Sequence, residues 1–263
     1  MAAAVHPGAA ADAVKAKGQR PRAKSVSFHT DARPLVWLQT PAADPDALYA
    51  RRADVAAARA AAEIWSARLK ASAGNGDFES AWKLARATYW LGSHEDTDEA
   101  GRAALQRGLD AARAAIRARP DRPEGHFWLA ANMGALAESF GLRMGLKYRG
   151  DIRRELETVL RLDPGFQQGS ADRALGRWYF KVPRLFGGSN KKSEEHLRRS
   201  LTYDPTSHAS LYFLAETLHD MGRDAEARAA LETLIAAPPH AGWEPEDREF
   251  KAKAQRLLKE LRK

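Results

Sequence analysis

The sequence predicts an all-α protein, a stack of about four helical hairpins with one further helix at the C-terminus. Three observations point there. Alanine makes up much of the 44% hydrophobic fraction while β-branched residues are sparse, a balance that favours helix over strand. Apolar residues recur at steps of three, four and seven, the period of a helix face. Helix-ending prolines return at Pro120, Pro164, Pro205 and Pro239, at intervals of 44, 41 and 34 residues.

The elements follow in order. Residues 1–43 hold six scattered prolines and glycines with no helical period, and read as a disordered, basic, Ala-rich leader ahead of a helical domain over 44–263. Asp44, Pro45 and Asp46 start a helix over about 46–72. Its stripe is Leu48, Val55, Ala58, Ala62, Trp65 and Leu69, with a gap around Arg51 and Arg52. Further helices are expected over 78–91, 97–118, 123–140, 150–162, 166–180, 190–203, 207–221, 224–236 and 245–261.

The last proline interval, 34 residues, is the tetratricopeptide period. Leu211, Leu214, Ala215 and Leu218 occupy the W-x2-L-G-x2-Y spacing, Ala227, Leu231 and Leu234 follow on the next helix, and Pro239 closes the unit. Ala215 and Ala227 let two helices approach closely. Trp82, Ala85, Arg86 and Tyr89 repeat the spacing, with Arg86 at the small position, and Leu175, Gly176 and Tyr179 repeat it with a glycine there. Extra residues near 93–100, 141–150 and 181–189 lengthen the earlier units and read as insertions at one edge. The fold expected is therefore a tetratricopeptide-like α-solenoid, whose hairpins bury their apolar faces only by stacking.

Charge and chemistry narrow the function classes. Half of the +8 net charge lies in the first 40 residues, so the folded part presents a mixed surface with no specific nucleic-acid face. There is no cysteine, which removes disulfides, thiolate metal sites and thiol nucleophiles. No apolar run is long enough to span a membrane or to serve as a signal h-region, so the visible sequence reads as soluble and cytoplasmic. No P-loop, dinucleotide fingerprint or H-E-x-x-H occurs, and a non-catalytic protein with no cofactor is expected.

The remaining polar candidates read as structural. Gly187 to Lys192 reads as a helix start capped by Ser189 or Asn190, with anion binding as the alternative. Glu155 with Glu157, and Glu194 with Glu195, read as solvated faces. His208 and His219 lie eleven residues apart, too far to share an ion, and each histidine is expected to be solvated or locally bonded, with no metal site. Trp65, Trp82, Trp90, Trp128 and Trp178 fall on apolar stripes, with Trp90 and Trp178 also placed to line a groove.

In such solenoids the first helix of each hairpin lines the concave side. Counting from each signature leucine position puts Lys83, Ala87 and Trp90, then Phe127, Ala131 and Gly134, on that face. It adds Arg173, Arg177 and Phe180, then Tyr212, Glu216 and His219. Arg173 and Arg177 stand four apart and could grip a carboxylate bidentately. Ion pairing with Asp172 or with glutamates of a neighbouring helix is the alternative reading. A protein partner in this groove is the function expected.

Between Arg119 and Pro205 the chain carries a Trp-bearing helix, "GHFWLAANMGALAESFG", then "ALGRWYFKVP" and "GGSNKKSEEHL". This pattern resembles the TatT family, tetratricopeptide-like periplasmic components linked to TRAP transporters, over roughly residues 46–240. The "LGRWYF" helix also resembles the eukaryotic regulators of microtubule dynamics, another tetratricopeptide-like group. The TatT resemblance implies a periplasmic subunit that meets a solute-binding protein and holds an apolar or carboxylate solute. The cysteine that carries the lipid of TatT proteins has no counterpart here.

Overall fold

The computed structural model describes residues 43–72, 77–139 and 141–261. Apart from its last residue, the leader expected over 1–43 lies outside them. Among the described residues, all regular structure is helical: α1 (Pro45–Ala50), α2 (Val55–Ala71), α3 (Phe78–Leu91), α4 (Asp98–Ala118), α5 (Pro123–Ser139) and α6 (Leu142–Leu162), then α7 (Ser170–Lys181), a 3-10 turn (Arg184–Phe186), α8 (Asn190–Tyr203), α9 (His208–Asp220), α10 (Asp224–Ala236) and α11 (Glu244–Glu260).

Short polar side chains cap several of these helices. Asp77 accepts from the Ser80 amide at 2.9 Å, Ser189 from Lys192 at 3.3 Å and Ser207 from Ser210 at 3.5 Å, each satisfying an otherwise orphaned donor. Hairpins form from α3 with α4, α5 with α6, α7 with α8 and α9 with α10, and each packs on the next. Helices α1 and α2 precede the four hairpins, and α11 packs on both α9 and α10. The expected close approach is present, since Ala85, Ala215 and Ala227 are fully buried. At Gly176 a Cβ would stand 2.5 Å from Leu197 Cγ, so only glycine lets α7 lie this near α8.

Three boundaries differ from the sequence reading. The helix expected over 46–72 is two, α1 and α2, broken at residues 51–54. There Arg52 turns inward and is 3% exposed, while Asp54 caps the new helix through the Ala56 amide at 3.0 Å. Helix α6 begins at Leu142, so the segment 141–150 is helix and not an insertion between helices. The added turns bury Tyr148 in line with Ile152, Leu156 and Val159. Helix α7 begins at Ser170, because Gln167, Gln168 and Gly169 adopt left-handed backbone with φ of 45°, 52° and 74°.

The apolar core falls into two clusters. The first runs from Tyr49 to Tyr179 and is organised around Trp65, Leu105, Leu109, Met133 and Leu136. The second joins Leu197 to Leu211, Leu218, Leu231 and Leu258. Across the α8–α9 interface, buried hydroxyls pair, Ser193 with Thr217 at 2.9 Å and Ser200 with Ser210 at 2.5 Å.

Trp65, 1% exposed, is the largest side chain buried to this degree. Trp65→Ala is expected to destabilise the chain by about 3–5 kcal/mol in urea denaturation. Trp82, half-buried against the same cluster, should cost clearly less on truncation, because solvent refills part of the space.

Candidate functional site

Helices α3, α5, α7 and α9 present one shared face, and a charged ladder marks it. Arg177 on α7 donates through Nε and a terminal nitrogen to Glu138 on α5 at 3.1 and 3.0 Å. Its other terminal nitrogen donates to Glu216 on α9 at 2.5 Å. Both glutamates stand 39 residues from Arg177, so the ladder repeats with the hairpins. The guanidinium also lies 4.6 Å from the Phe213 ring centroid. Burial works against its charge, but the two carboxylates outweigh that and raise its pKa.

The two arginines expected to act together are therefore separate. Arg177 is engaged by glutamates of neighbouring helices, the alternative reading of that pair. Asp172 does not join it: its Oδ1 faces His196 Nδ1 at 2.7 Å. Arg173, half-buried, has no carboxylate within ion-pair distance among the described residues. Burial pulls its pKa below the usual arginine value, against the raising fields of Tyr89, Asp204 and Asp247. Tyr89 remains 41% exposed beside Trp128.

Three aromatic residues expected to line the groove are core instead. Trp90 is 5% exposed, donates Nε1 to the Arg52 carbonyl at 2.8 Å and stacks on His94 at 3.6 Å. The residues linking α1 to α2 cover it, which the single-helix reading of 46–72 could not show. Trp178 is held similarly, donating to the Arg149 carbonyl at 3.0 Å. Phe127, 8% exposed, packs edge-on against Phe166 at 5.5 Å. Lys83 is tied to Asp46 of α1 at 2.9 Å, and Arg86, at the small signature position, swings over the Tyr49 ring at 4.2 Å.

Phe180, Tyr212, Glu216 and His219 come together. They line a cavity of about 300 Å³ whose other wall is α11, through Lys253, Arg256 and Leu257. His219 itself is bonded to Asp224 at 2.7 Å. Helix α11 lies along this face: Phe250 meets the Tyr212 and Phe213 rings at 5.7 and 5.5 Å. Its first turns reach the opposite end of the array. Arg52 Nε donates to Glu246 at 2.8 Å, a terminal nitrogen donates to the Gly242 carbonyl at 2.6 Å, and His94 Nε2 faces Glu249 at 2.7 Å.

Sequence reasoning missed one cluster altogether. His208, His240 and Asp247 converge where α9 meets α11, although two of them were 32 residues apart in a scatter of histidines. His208 is neither solvated nor locally bonded: it is 1% exposed and neither ring nitrogen has a hydrogen-bond partner among the described residues. Likewise Glu155 and Glu194 are not merely solvated, since Glu155 bonds His126 at 2.6 Å and Glu194 bonds Arg198 and Arg223. Gly187 to Lys192 does start a helix, capped by Ser189.

Comparison with known proteins gives the following. Residues 46–186 match the family model of regulator of microtubule dynamics protein 1-3, and residues 188–244 match a tetratricopeptide repeat model. The division falls in the turn between α7 and α8, where the first core cluster gives way to the second. Among solved structures, a thermophilic TPR protein from Thermus thermophilus is similar, at 22% identity and a TM-score of 0.59, over 81% of this chain and 97% of that one. MamA aligns at 14% identity and a TM-score of 0.48, over 77% of this chain and 95% of that one. No curated protein matches the chain. No helix among the described residues is long and apolar enough to cross a membrane.

The His94–Glu249 contact makes the seating of α11 pH-dependent. Burial opposes the charge on His94, but the Glu249 hydrogen bond and the Trp90 carbonyl outweigh it and raise its pKa above 6.5. The His94 hydrogen bond lowers the Glu249 pKa below 4.5. A raised histidine stabilises the fold below its unfolded pKa and loses that contribution as pH rises through the folded value. A lowered carboxylate contributes above its unfolded pKa. The pair is therefore strongest between 4.5 and 6.5. Because Glu249 is 42% exposed, the coupling should be within about 1 kcal/mol. A double-mutant cycle with His94→Ala and Glu249→Gln should show it at about pH 5.5 and lose most of it at about pH 8.5. Equal coupling at both pH values would contradict this account.

Proposed function

The chain belongs to the regulator of microtubule dynamics protein 1-3 family, and on that premise we propose that it is a non-catalytic scaffold. Its concave face holds an acidic segment of a protein partner. The observation that supports this most directly is Arg173. It is a half-buried cation, on the face shared by the first helices of the hairpins, with no carboxylate in ion-pair range among the described residues. A desolvated guanidinium left unpaired is costly, and an incoming carboxylate would relieve that cost with charge-assisted hydrogen bonds. Tyr89, exposed beside it, supplies aromatic contact area of the kind enriched at interfaces. Arg177, Glu138 and Glu216 satisfy one another and fix the helices that frame the site.

The family name makes polymerised tubulin the first partner to test. Arg173→Glu should weaken binding of the natural partner at least tenfold, about 1.4 kcal/mol, with thermal stability unchanged or raised. A soluble poly-glutamate peptide should compete with that partner. Affinity that ignores both the substitution and the competitor would reject the acidic-segment reading.

A second reading rests on the cavity between α9 and α11. Phe180 and Tyr212 give it aromatic walls, and two cations, Lys253 and Arg256, stand beside three carboxylates, Glu216, Asp220 and Glu260. The aromatic walls suit an apolar solute, whose carboxylate would meet Lys253 or Arg256, as in a TatT-like periplasmic subunit. Native mass spectrometry of protein purified from its source should then show a co-purifying small molecule or a solute-binding partner. Their absence would sink this reading.

A further inference from the structure

We propose that the joint between α9 and α11 is a divalent metal site formed by His208, His240 and Asp247, and that its ion is zinc. The inference does not depend on the identity of any partner.

His208 opens α9 and is 1% exposed. Both of its ring nitrogens lack hydrogen-bond partners among the described residues. An imidazole always has a donor or an acceptor at each nitrogen, and buried polar groups are almost always satisfied. An unpartnered histidine at this depth therefore points to something that binds it. Its Nδ1 lies 3.5 Å from Asp247 Oδ1. The second carboxylate oxygen of Asp247 faces His240 Nδ1 at 2.8 Å and accepts the His240 backbone N–H at 2.7 Å. One ligand atom from each of the three residues lies within 4.8 Å of the others. Zinc bonds of about 2.0–2.2 Å at tetrahedral angles would set such atoms about 3.4 Å apart. His240 stands in the segment between α10 and α11, where a modest ring movement makes up the difference.

The surroundings support the same role. On its far side, His240 Nε2 faces Asp204 Oδ2 at 3.3 Å and Thr206 Oγ1 at 3.2 Å. A carboxylate on the distal nitrogen is the usual device for orienting a ligating imidazole. Two imidazoles and one carboxylate suit zinc better than calcium or magnesium, which take oxygen ligands and higher coordination numbers. Three protein ligands leave a fourth position for water or for a group brought by a ligand.

The site joins the start of α9 to the first turn of α11, one residue from Glu246 and two from Glu249. Those two glutamates reach Arg52 and His94. Bound zinc would thus pin the end of α11 that closes the array.

The test uses the full chain, stripped with a chelator and titrated with zinc chloride by calorimetry, with metal counted by elemental analysis after gel filtration. The expected result is one zinc per chain and a rise in Tm of about 5–10 °C at free zinc a hundredfold above Kd. His240→Gln and Asp247→Asn should each weaken binding at least tenfold. Replacing buried His208 can unfold α9, so His240→Gln, at a half-buried position and with its fold checked by circular dichroism, is the deciding variant. No zinc retained by the folded chain, or zinc held equally tightly by both variants, would overturn the proposal.

Discussion

A stack of hairpins has two free ends, and in this chain one guanidinium ties them together. Arg52, 3% exposed, sits in the break between α1 and α2 and reaches α11, 194 residues away, at Glu246. It holds the Gly242 carbonyl as well, lies near the Tyr49 and Trp90 rings at 5.0 and 5.5 Å, and offers its own carbonyl to the Trp90 indole. A buried charge is tolerated only when its partners are complete. The position of α1, the burial of Trp90 and the course of α11 across the concave face all follow from completing them. Burial in the same setting pushes the Tyr49 phenol up to about 12, against the lowering fields of Arg86 and Arg52.

The interior of the array depends on a different device. Successive first helices are stitched by polar side chains as well as by apolar packing. Buried Asn132 donates to the Ala85 carbonyl of α3 at 3.0 Å, and Arg177 joins α5 to α9 through two glutamates. Within the second cluster, paired hydroxyls join α8 to α9 beside the leucines. Polar links of this kind fix the register of neighbouring hairpins more narrowly than apolar contact alone, since a hydrogen bond tolerates less displacement. The concave face is consequently a preset surface. On it, Arg177 is held by Glu138 and Glu216, while Arg173 has no carboxylate in ion-pair range among the described residues.

Closure by α11 changes the meaning of that face. A solenoid groove is usually read as continuous, but here α11 lies along its far half and leaves an open pocket. Phe250 rests on Tyr212 and Phe213, and the remaining space is a cavity of about 300 Å³. Near Tyr89 and Arg173 the face keeps exposed surface. A partner on this face would meet α11 as a neighbour, so the contacts that seat α11 also shape the face.

The helices, the hairpin pairing and the caps were legible from the amino-acid order. They depend on local quantities: the three-and-four period, the small residues Gly176, Ala215 and Ala227, the proline stops, and a short acceptor such as Ser189. Part of the candidate site was legible for the same reason, because Tyr212, Glu216 and His219 follow one face of α9 and Phe180 holds the matching position on α7. Everything requiring a distant partner waited for the folded chain. Trp90 and Phe127 read as groove residues until the α1–α2 link and Phe166 covered them. The break at Arg52 has its cause in Glu246, and His208 gains its meaning from His240 and Asp247. Spacing along a helix tells which way a side chain points, but not what stands opposite it. That depends on how the whole array closes.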